Sequence, residues 1–315
     1  MSSGLAALLR GATRLRSDRV SVEVDGRELQ LSNLDKPLYP GGFTKGDVID
    51  YYLRIAPVML PHLAGRPVTR KRYPNGVDEP FFFEKNAPAH RPEWVQTVRI
   101  PAHDRPVDYV VCSDTATLVW LANLAALELH TNLGSAAHPE RPQYVVFDLD
   151  PGPGTSIVEC CAVGLMLRGM CERIGLQAMA KTSGSKGLQV YVPLNDEDAT
   201  YERTRAFALT VAEMWERERP DLIVSKMTKS IRTGRVLIDW SQNNQVKTTV
   251  CVYSLRARTE PTVSTPVTWR EVQACERSGD PAGLRFTSRQ VLDRVRRVGD
   301  RFAGAAHLRQ VLPEL

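Results

Sequence analysis

The stretch "YVVFDLDPGPGT", residues 144–155, ends an apolar run in two aspartates, Asp148 and Asp150, and then breaks on Pro-Gly-Pro-Gly. A short β-branched and aromatic run bounded by such a turn reads as a buried strand. Residues i and i+2 of a strand share a face, so both carboxylates point the same way. Charge at the end of a buried strand is costly unless something compensates it. Hard divalent cations such as Mg²⁺ and Mn²⁺ take carboxylate oxygens and would do so. By itself the pair reads more simply as a solvated strand end.

The flanking sequence alternates strand-like and helix-like segments. "VSVEVDGRELQLS", residues 20–32, has the alternation of a hairpin. "TKGDVIDYYLRIAPVML", residues 44–60, reads as a helix capped by Thr44 with Asp47 three residues on, and with Val48, Tyr52, Ile55 and Met59 on one face. "RPVTRKRYP" is a strand carrying a basic cluster. Asp114 caps a helix through "TATLVWLANLAALELH", which places His130 at its C-terminal end. After the PGPGT turn a helix runs over 157–174, with Gly175 as its stop. "GLQAMAKTS" and "GLQVYVPL" flank a Gly-Ser-Lys turn as antiparallel strands, "TRAFALTVAEMWERERP" is an amphipathic helix, and "GRVLIDWSQ" is a further strand. The expectation is one α+β domain over 21–315, with a mixed or antiparallel sheet flanked by helices.

Composition narrows the class. With 315 residues, 43% hydrophobic and 24% charged, the chain is of the soluble globular type, and no apolar run approaches the ~20 residues of a membrane helix. The apolar part of "MSSGLAALLRGATRLRSDRV" is too short for a secretory signal, so residues 1–20 read as a flexible basic tail. Six cysteines with no CxxC pair point to a reducing, cytoplasmic setting without a zinc site. The net charge of +5, with arginines crowding the N-terminus and "RFTSRQVLDRVRRVGDRF", hints at nucleic acid. An arginine-rich solvated surface is the plainer reading.

Two further signals join the aspartate pair. Asp239 also ends an apolar strand, "VLID", and would be a third ligand of a two-metal site for phosphoryl transfer; alone it is more simply a turn or cap residue. "TSGSKG", residues 182–187, offers backbone N–H groups and the charge of Lys186 to a phosphate, without being a Walker A loop; alone it is a hairpin turn. In this order, "FDLDP", "TSGSKGLQVYVPL" and "VLIDWSQNN" resemble the three motifs of the archaeo-eukaryotic primase superfamily. More closely they resemble the polymerase domain of the bacterial end-joining ligase, ligase D. "SNLDKPLYP", "LAGRPVTRKRYPNGVDEPFFFEK", "ALELH", "SKMTKSIRTGR" and "KTTVCVYSLRAR" are similar to that family too, over roughly residues 25–290.

The resemblance implies an α+β, archaeo-eukaryotic primase-like catalytic core. Asp148, Asp150 and Asp239 would bind two divalent metals, Mn²⁺ favoured over Mg²⁺. His130, Ser183, Lys186 and Arg256 would contact the triphosphate of an NTP or dNTP, with Lys229, Arg232, Gln242 and Lys247 lining the nucleotide or template site. Asn33, Lys36 and Lys45 would hold the 5′-phosphate of the strand beyond a gap, and Lys71, Phe82 and Phe83 would contact template and bases. Without the family the lysines read as solvated and "PFFFEK" as a core strand.

The implied activity is primer extension across short gaps or broken DNA ends, with ribonucleotides preferred. Ku and a separate DNA ligase are the implied partners, and a nucleoid-associated cytoplasmic location follows. No KxDG ligase motif occurs, so the chain reads as a stand-alone gap-filling primase-polymerase or as a piece of something longer. The rival readings are a de novo primase and an end-binding module with weak catalysis. One position departs from the family: Gln189 stands where His is usual after "SKGL". Strand alternation points it toward the site, and any role needing a charged imidazole is lost. Altered nucleotide affinity or weaker activity is the expectation.

Overall fold

The structure, a computed structural model, describes residues 4–14, 18–101 and 105–314. Its contacts divide the chain into two compact units that interleave in sequence. The first takes Met1–Thr131, Tyr253–Thr262 and Thr287–Gly299; the second takes Asn132–Val252, Val263–Phe286 and Asp300–Leu315.

In the first unit, α1 (Gly4–Leu9) is followed by a three-stranded antiparallel sheet of β1 (Thr13–Arg14), β2 (Arg19–Val24) and β3 (Arg27–Ser32). Residues 4–14 of the expected flexible tail are therefore ordered, and the Leu5 N–H donates to the Asp50 carboxylate at 2.8 Å. Residues 1–3 and 15–17 of that tail lie outside the described residues. Asp25 (φ 50°) and Gly26 (φ 72°) close the expected hairpin with the left-handed pair that matches strand twist. In α2 (Lys45–Leu63) Thr44 and Asp47 form the capping box read from the sequence. Val48, Tyr52, Ile55 and Met59 are all fully buried. A second sheet holds β4 (Pro67–Arg72), β5 (Phe82–Glu84), β6 (Thr97–Ile100), β7 (Val107–Val111) and β8 (Ala126–Thr131), with β4 between β8 and β7 and β5 also paired to β4.

One expectation fails here. The helix capped by Asp114, α3 (Thr115–Asn123), stops at Asn123 rather than running to His130. Ala125 turns left-handed (φ 56°), and "ALELHT" pairs along β4 as β8. Leu127 and Leu129 are buried on one face, so Glu128 and His130 share the other. Strand pairing and burial override local helix propensity.

The second unit is built on a mixed six-stranded sheet. Its strands are β9 (Tyr144–Pro151), β10 (Met179–Thr182), β11 (Leu188–Pro193), β12 (Ile223–Val224), β13 (Val236–Asp239) and the short strand Pro266–Val267. The order is β12-β13-β9-β11-β10 and then Pro266–Val267, and only β12 and β13 are parallel. Helices α4 (Ile157–Arg173) and α5 (Tyr201–Glu218) cover one face, where Val145, Phe147, Leu149, Leu188 and Val190 pack on Cys160, Leu167, Phe207 and Val211. Burying each large apolar side chain contributes about 1.5–3 kcal/mol. Alternation then sends Asp148 and Asp150 to the opposite face. A third helix, α6 (Trp269–Ser278), packs on α4. Among the described residues no helix is long and apolar enough to cross a membrane.

Candidate active site

The central strand of the second unit carries the candidate chemistry. Register sets Asp239 of β13 opposite Asp148 of β9, Asp148 opposite Gln189 of β11, and Gln189 opposite Lys181 of β10. One polar row therefore crosses four strands, with Asp150 two residues further along β9. Burial, then the charges of Asp150 and Asp239, push the Asp148 carboxyl up to about 7, against the hydrogen bond with Gln189 and the charge of Lys181. Carboxylates that suppress each other's ionisation in this way suit a divalent cation, which would satisfy both at once.

Asp239 is drawn partly into its own turn. Its Oδ1 accepts from the Ser241 N–H at 2.9 Å and hydroxyl at 2.6 Å, and its Oδ2 accepts from Gln242 Nε2 at 2.8 Å. Lys247 Nζ donates to the same Ser241 hydroxyl at 2.5 Å. The turn role of Asp239 leaves it in the acidic row, and Gln242 and Lys247 gather around its turn. Among the described residues no three acidic, His or Cys side chains close into a ready-made metal cluster. The oxygens of Asp239 are held by Ser241 and Gln242 instead.

The "TSGSKG" turn is organised by Ser183, whose Oγ accepts from the N–H groups of Ser185 (3.2 Å) and Gly187 (3.0 Å). Lys186 projects into solvent. Gly187 is required: a Cβ there would lie 2.1 Å from the Leu149 carbonyl, between the two aspartates of β9. Gly152 is similarly pressed against the backbone of Arg232, which brings the Lys229–Arg232 turn beside the loop after Asp150. The Arg232 guanidinium donates to the Met227 carbonyl.

The first unit holds a separate cation cluster around a residue that the sequence reading did not single out. Glu128 is buried, and its carboxylate accepts from His130 Nε2 at 2.9 Å and the Ala257 N–H at 3.1 Å. Arg256 Nε lies 3.4 Å and Lys71 Nζ 3.5 Å from it. Burial pushes this carboxyl up, but the hydrogen bond from His130 and the charges of Arg256, His130 and Lys71 outweigh it and hold Glu128 well below the usual range. Burial lowers His130. Lys71, read as a template contact, is thus tied to the residues read as triphosphate contacts. The i, i+2 spacing of Glu128 and His130 was the available signal, hidden by reading the segment as helix.

Two more sets lie in the first unit. The Lys45 N–H donates to the Lys36 carbonyl at 2.9 Å, which brings the two lysines together, and the Lys36 N–H bonds the carbonyl of Asn33 (φ 53°) at 3.1 Å. The ammonium partners are neutral: Asn75 for Lys36 at 2.9 Å and Ser32 for Lys45 at 3.3 Å. Burial, then Lys36 and Arg72, lower Lys45 to about 8. Phe81, Phe82 and Phe83 are about half exposed rather than core (50%, 55% and 52%). Lys71 sits 4.4 Å from the Phe81 ring centre.

An acidic row on the face of a mixed sheet away from α4 and α5, followed by a Ser-Gly-Ser-Lys turn, is the layout of a primase-polymerase nucleotidyltransferase. The family profile described as "LigD, primase-polymerase domain" matches residues 44–302, and the chain belongs to that family. It is 42% identical over 283 residues to the multifunctional non-homologous end joining DNA repair protein LigD of Mycobacterium tuberculosis, covering 87% of this chain and 36% of that protein. It is 35% identical over 273 residues to the bifunctional non-homologous end joining protein LigD of Bacillus subtilis, covering 86% and 43%. The chain thus spans well under half the length of these relatives. The solved structure "Polymerase Domain from Mycobacterium tuberculosis Ligase D in complex with DNA" superposes with a TM-score of 0.82 at 40% identity, covering 88% of this chain and 98% of that one.

Proposed function

We propose that this chain is a template-dependent nucleotidyltransferase that extends a primer 3′-end across short gaps or broken DNA ends in DNA repair. The observation that carries this reading is the register of Asp239 against Asp148, with Asp150 beside them on the face of the sheet away from α4 and α5. Asp148, Asp150 and Asp239 would hold the divalent ions. The fit rests on the donor set, since the raised Asp148 carboxyl marks negative charge that its neighbours do not neutralise. When bound there, divalent ions would supply an acidified primer 3′-hydroxyl and charge neutralisation on the transferred phosphoryl group.

The chain's own residues do the rest. In the second unit Ser183 and Lys186 supply donors and positive charge to a triphosphate; on family membership His130 and Arg256 are proposed as triphosphate contacts and Lys71 as a template contact, the three braced on Glu128. Lys229, Arg232, Gln242 and Lys247 line the nucleotide or template site. Lys36 and Lys45, with Asn33, take the downstream 5′-phosphate, which favours gap filling over de novo priming. Exposed Phe82 and Phe83 stack on bases. Mn²⁺ as the preferred metal, two ions per site, ribonucleotides as preferred substrates, Ku and a separate ligase as partners, and a nucleoid-associated cytoplasmic location are proposed on family membership.

The test is extension of a primer on a one-nucleotide-gapped duplex, with and without the 5′-phosphate. It compares Mn²⁺ with Mg²⁺ and ribo- with deoxyribonucleotides, against Asp148→Ala/Asp150→Ala. Metal-dependent extension that the phosphate stimulates and the double variant loses is the expected result. Gapped-DNA binding with no extension under any condition would mean an end-binding module instead.

A further inference from the structure

Lys181 has no part in the assignments above, yet it stands in the acidic row. It is 1% exposed on β10. Its ammonium donates to Gln189 Oε1, to the Val250 carbonyl at 3.0 Å and to Ser264 Oγ at 2.8 Å, and it rests 5.3 Å from the centre of the Tyr191 ring. Ser264 Oγ gives its own proton to the Thr182 carbonyl at 2.9 Å, so a lone pair of that oxygen faces the lysine. These three acceptors match the three N–H donors of an ammonium. A buried cation held on neutral acceptors is expensive unless its geometry is well satisfied.

The direction of the hydrogen bonds follows from elementary chemistry. An ammonium only donates, so the oxygen of the Gln189 amide must face Lys181. The NH₂ of the same amide then faces the other way along the row, and Gln189 is hydrogen-bonded to Asp148. Lys181 thereby fixes which way Gln189 points, and Gln189 fixes the carboxylate of Asp148. A neutral imidazole at position 189 would serve equally, accepting from the lysine with one nitrogen and donating to the aspartate with the other. The glutamine of this chain keeps that relay.

We propose that Lys181 is a positioning residue for nucleotidyl transfer, acting through Gln189 to hold Asp148 in the orientation in which it takes a divalent cation. The inference rests on the proposed function. Lost outer partners of metal-ligating groups typically weaken metal affinity or activity by about 10–100-fold. Lysine also carries charge, which by itself would repel a dication. A double-mutant cycle separates the two effects, because the charge acts in either background and the positioning acts only through Gln189.

The experiment measures Mn²⁺ affinity from the paramagnetic-resonance signal of the free ion, and primer extension at saturating Mn²⁺, with thermal melts to establish folding. Gln189→Leu is expected to weaken Mn²⁺ binding about tenfold, whereas Gln189→His stays within about threefold of wild type. Lys181→Met is expected to slow extension about tenfold alone and by less than about twofold in the Gln189→Leu background. Ser264→Ala, which keeps the lysine and removes one acceptor, gives a smaller loss in the same direction and serves if Lys181→Met does not fold. A Lys181→Met effect of equal size in both backgrounds overturns the relay. So do folded single variants that change neither quantity while the wild type binds Mn²⁺ and extends primers. A wild-type protein that does neither defeats the proposed function itself, and the relay with it.

Discussion

Glu128 shows how one buried charge organises several mobile ones. Four groups meet its carboxylate, from His130, Arg256, Lys71 and the Ala257 N–H. Glu128→Gln keeps the shape and removes the charge. Electrostatics alone would then tighten triphosphate binding, because a negative charge disappears. Loss of the brace would loosen it, because His130, Arg256 and Lys71 regain rotamer freedom. We expect the brace to win, with KM for the nucleotide rising about tenfold and kcat changing less. Steady-state extension kinetics decide it, and a lowered KM would show that Glu128 is only a charge. At the proposed 5′-phosphate site, Lys45 is lowered to about 8 by burial and by its cationic neighbours. It is charged at pH 7 and loses its proton as pH rises through 8. Stimulation of extension by a downstream 5′-phosphate should therefore fall between pH 7 and pH 9, and Lys45→Ala should abolish it at both.

At the scale of elements, close approach of backbone matters more than side-chain identity. Gly187 immediately precedes β11, where the chain touches the Leu149 carbonyl, so any side chain forces the start of β11 away from β9. Gly187→Ala should destabilise by about 2 kcal/mol, the usual size of an overpacking strain. It should also spoil the spacing of Asp148 and Asp150. Urea melts and extension assays measure the two effects independently. The helices are easier to read. Thr44 with Asp47 forms the capping box that the sequence pattern announces, and Ser156 with Glu159 forms a second one. β8 is the counter-example, because "ALELH" has good helix formers and becomes a strand only through its pairing with β4.

At the scale of the whole molecule, the acidic row sets how stability depends on pH and on metal. Asp148 titrates near 7 in the folded protein, well above an ordinary aspartate at 3.8. The folded state thus holds a proton that the unfolded chain releases, so its contribution to stability is full below about pH 4 and is lost as pH rises through 7. A divalent cation at the proposed site would replace that proton. Mn²⁺ should therefore raise the melting temperature more at pH 8 than at pH 6, and Asp148→Asn should remove the difference. Calorimetric or fluorescence melts with and without Mn²⁺ test this directly.

The sequence by itself determined the motifs and their local geometry. The PGPGT break, the alternation of "VVFDLD", the capping box of Thr44 and the Asp25-Gly26 turn all depend on neighbours a few residues apart, and the structure has them where the chain announces them. The three aspartates were legible as a set because each ends an apolar strand. Tertiary structure alone decided the rest. The register that aligns Asp239, Asp148, Gln189 and Lys181 joins residues up to 91 positions apart (Asp148 and Asp239) through strand pairing. In the chain Glu128 looks like an ordinary helix residue and Lys181 like an ordinary strand residue. They acquire meaning only because a buried charge must find its partners, and those partners arrive from distant segments.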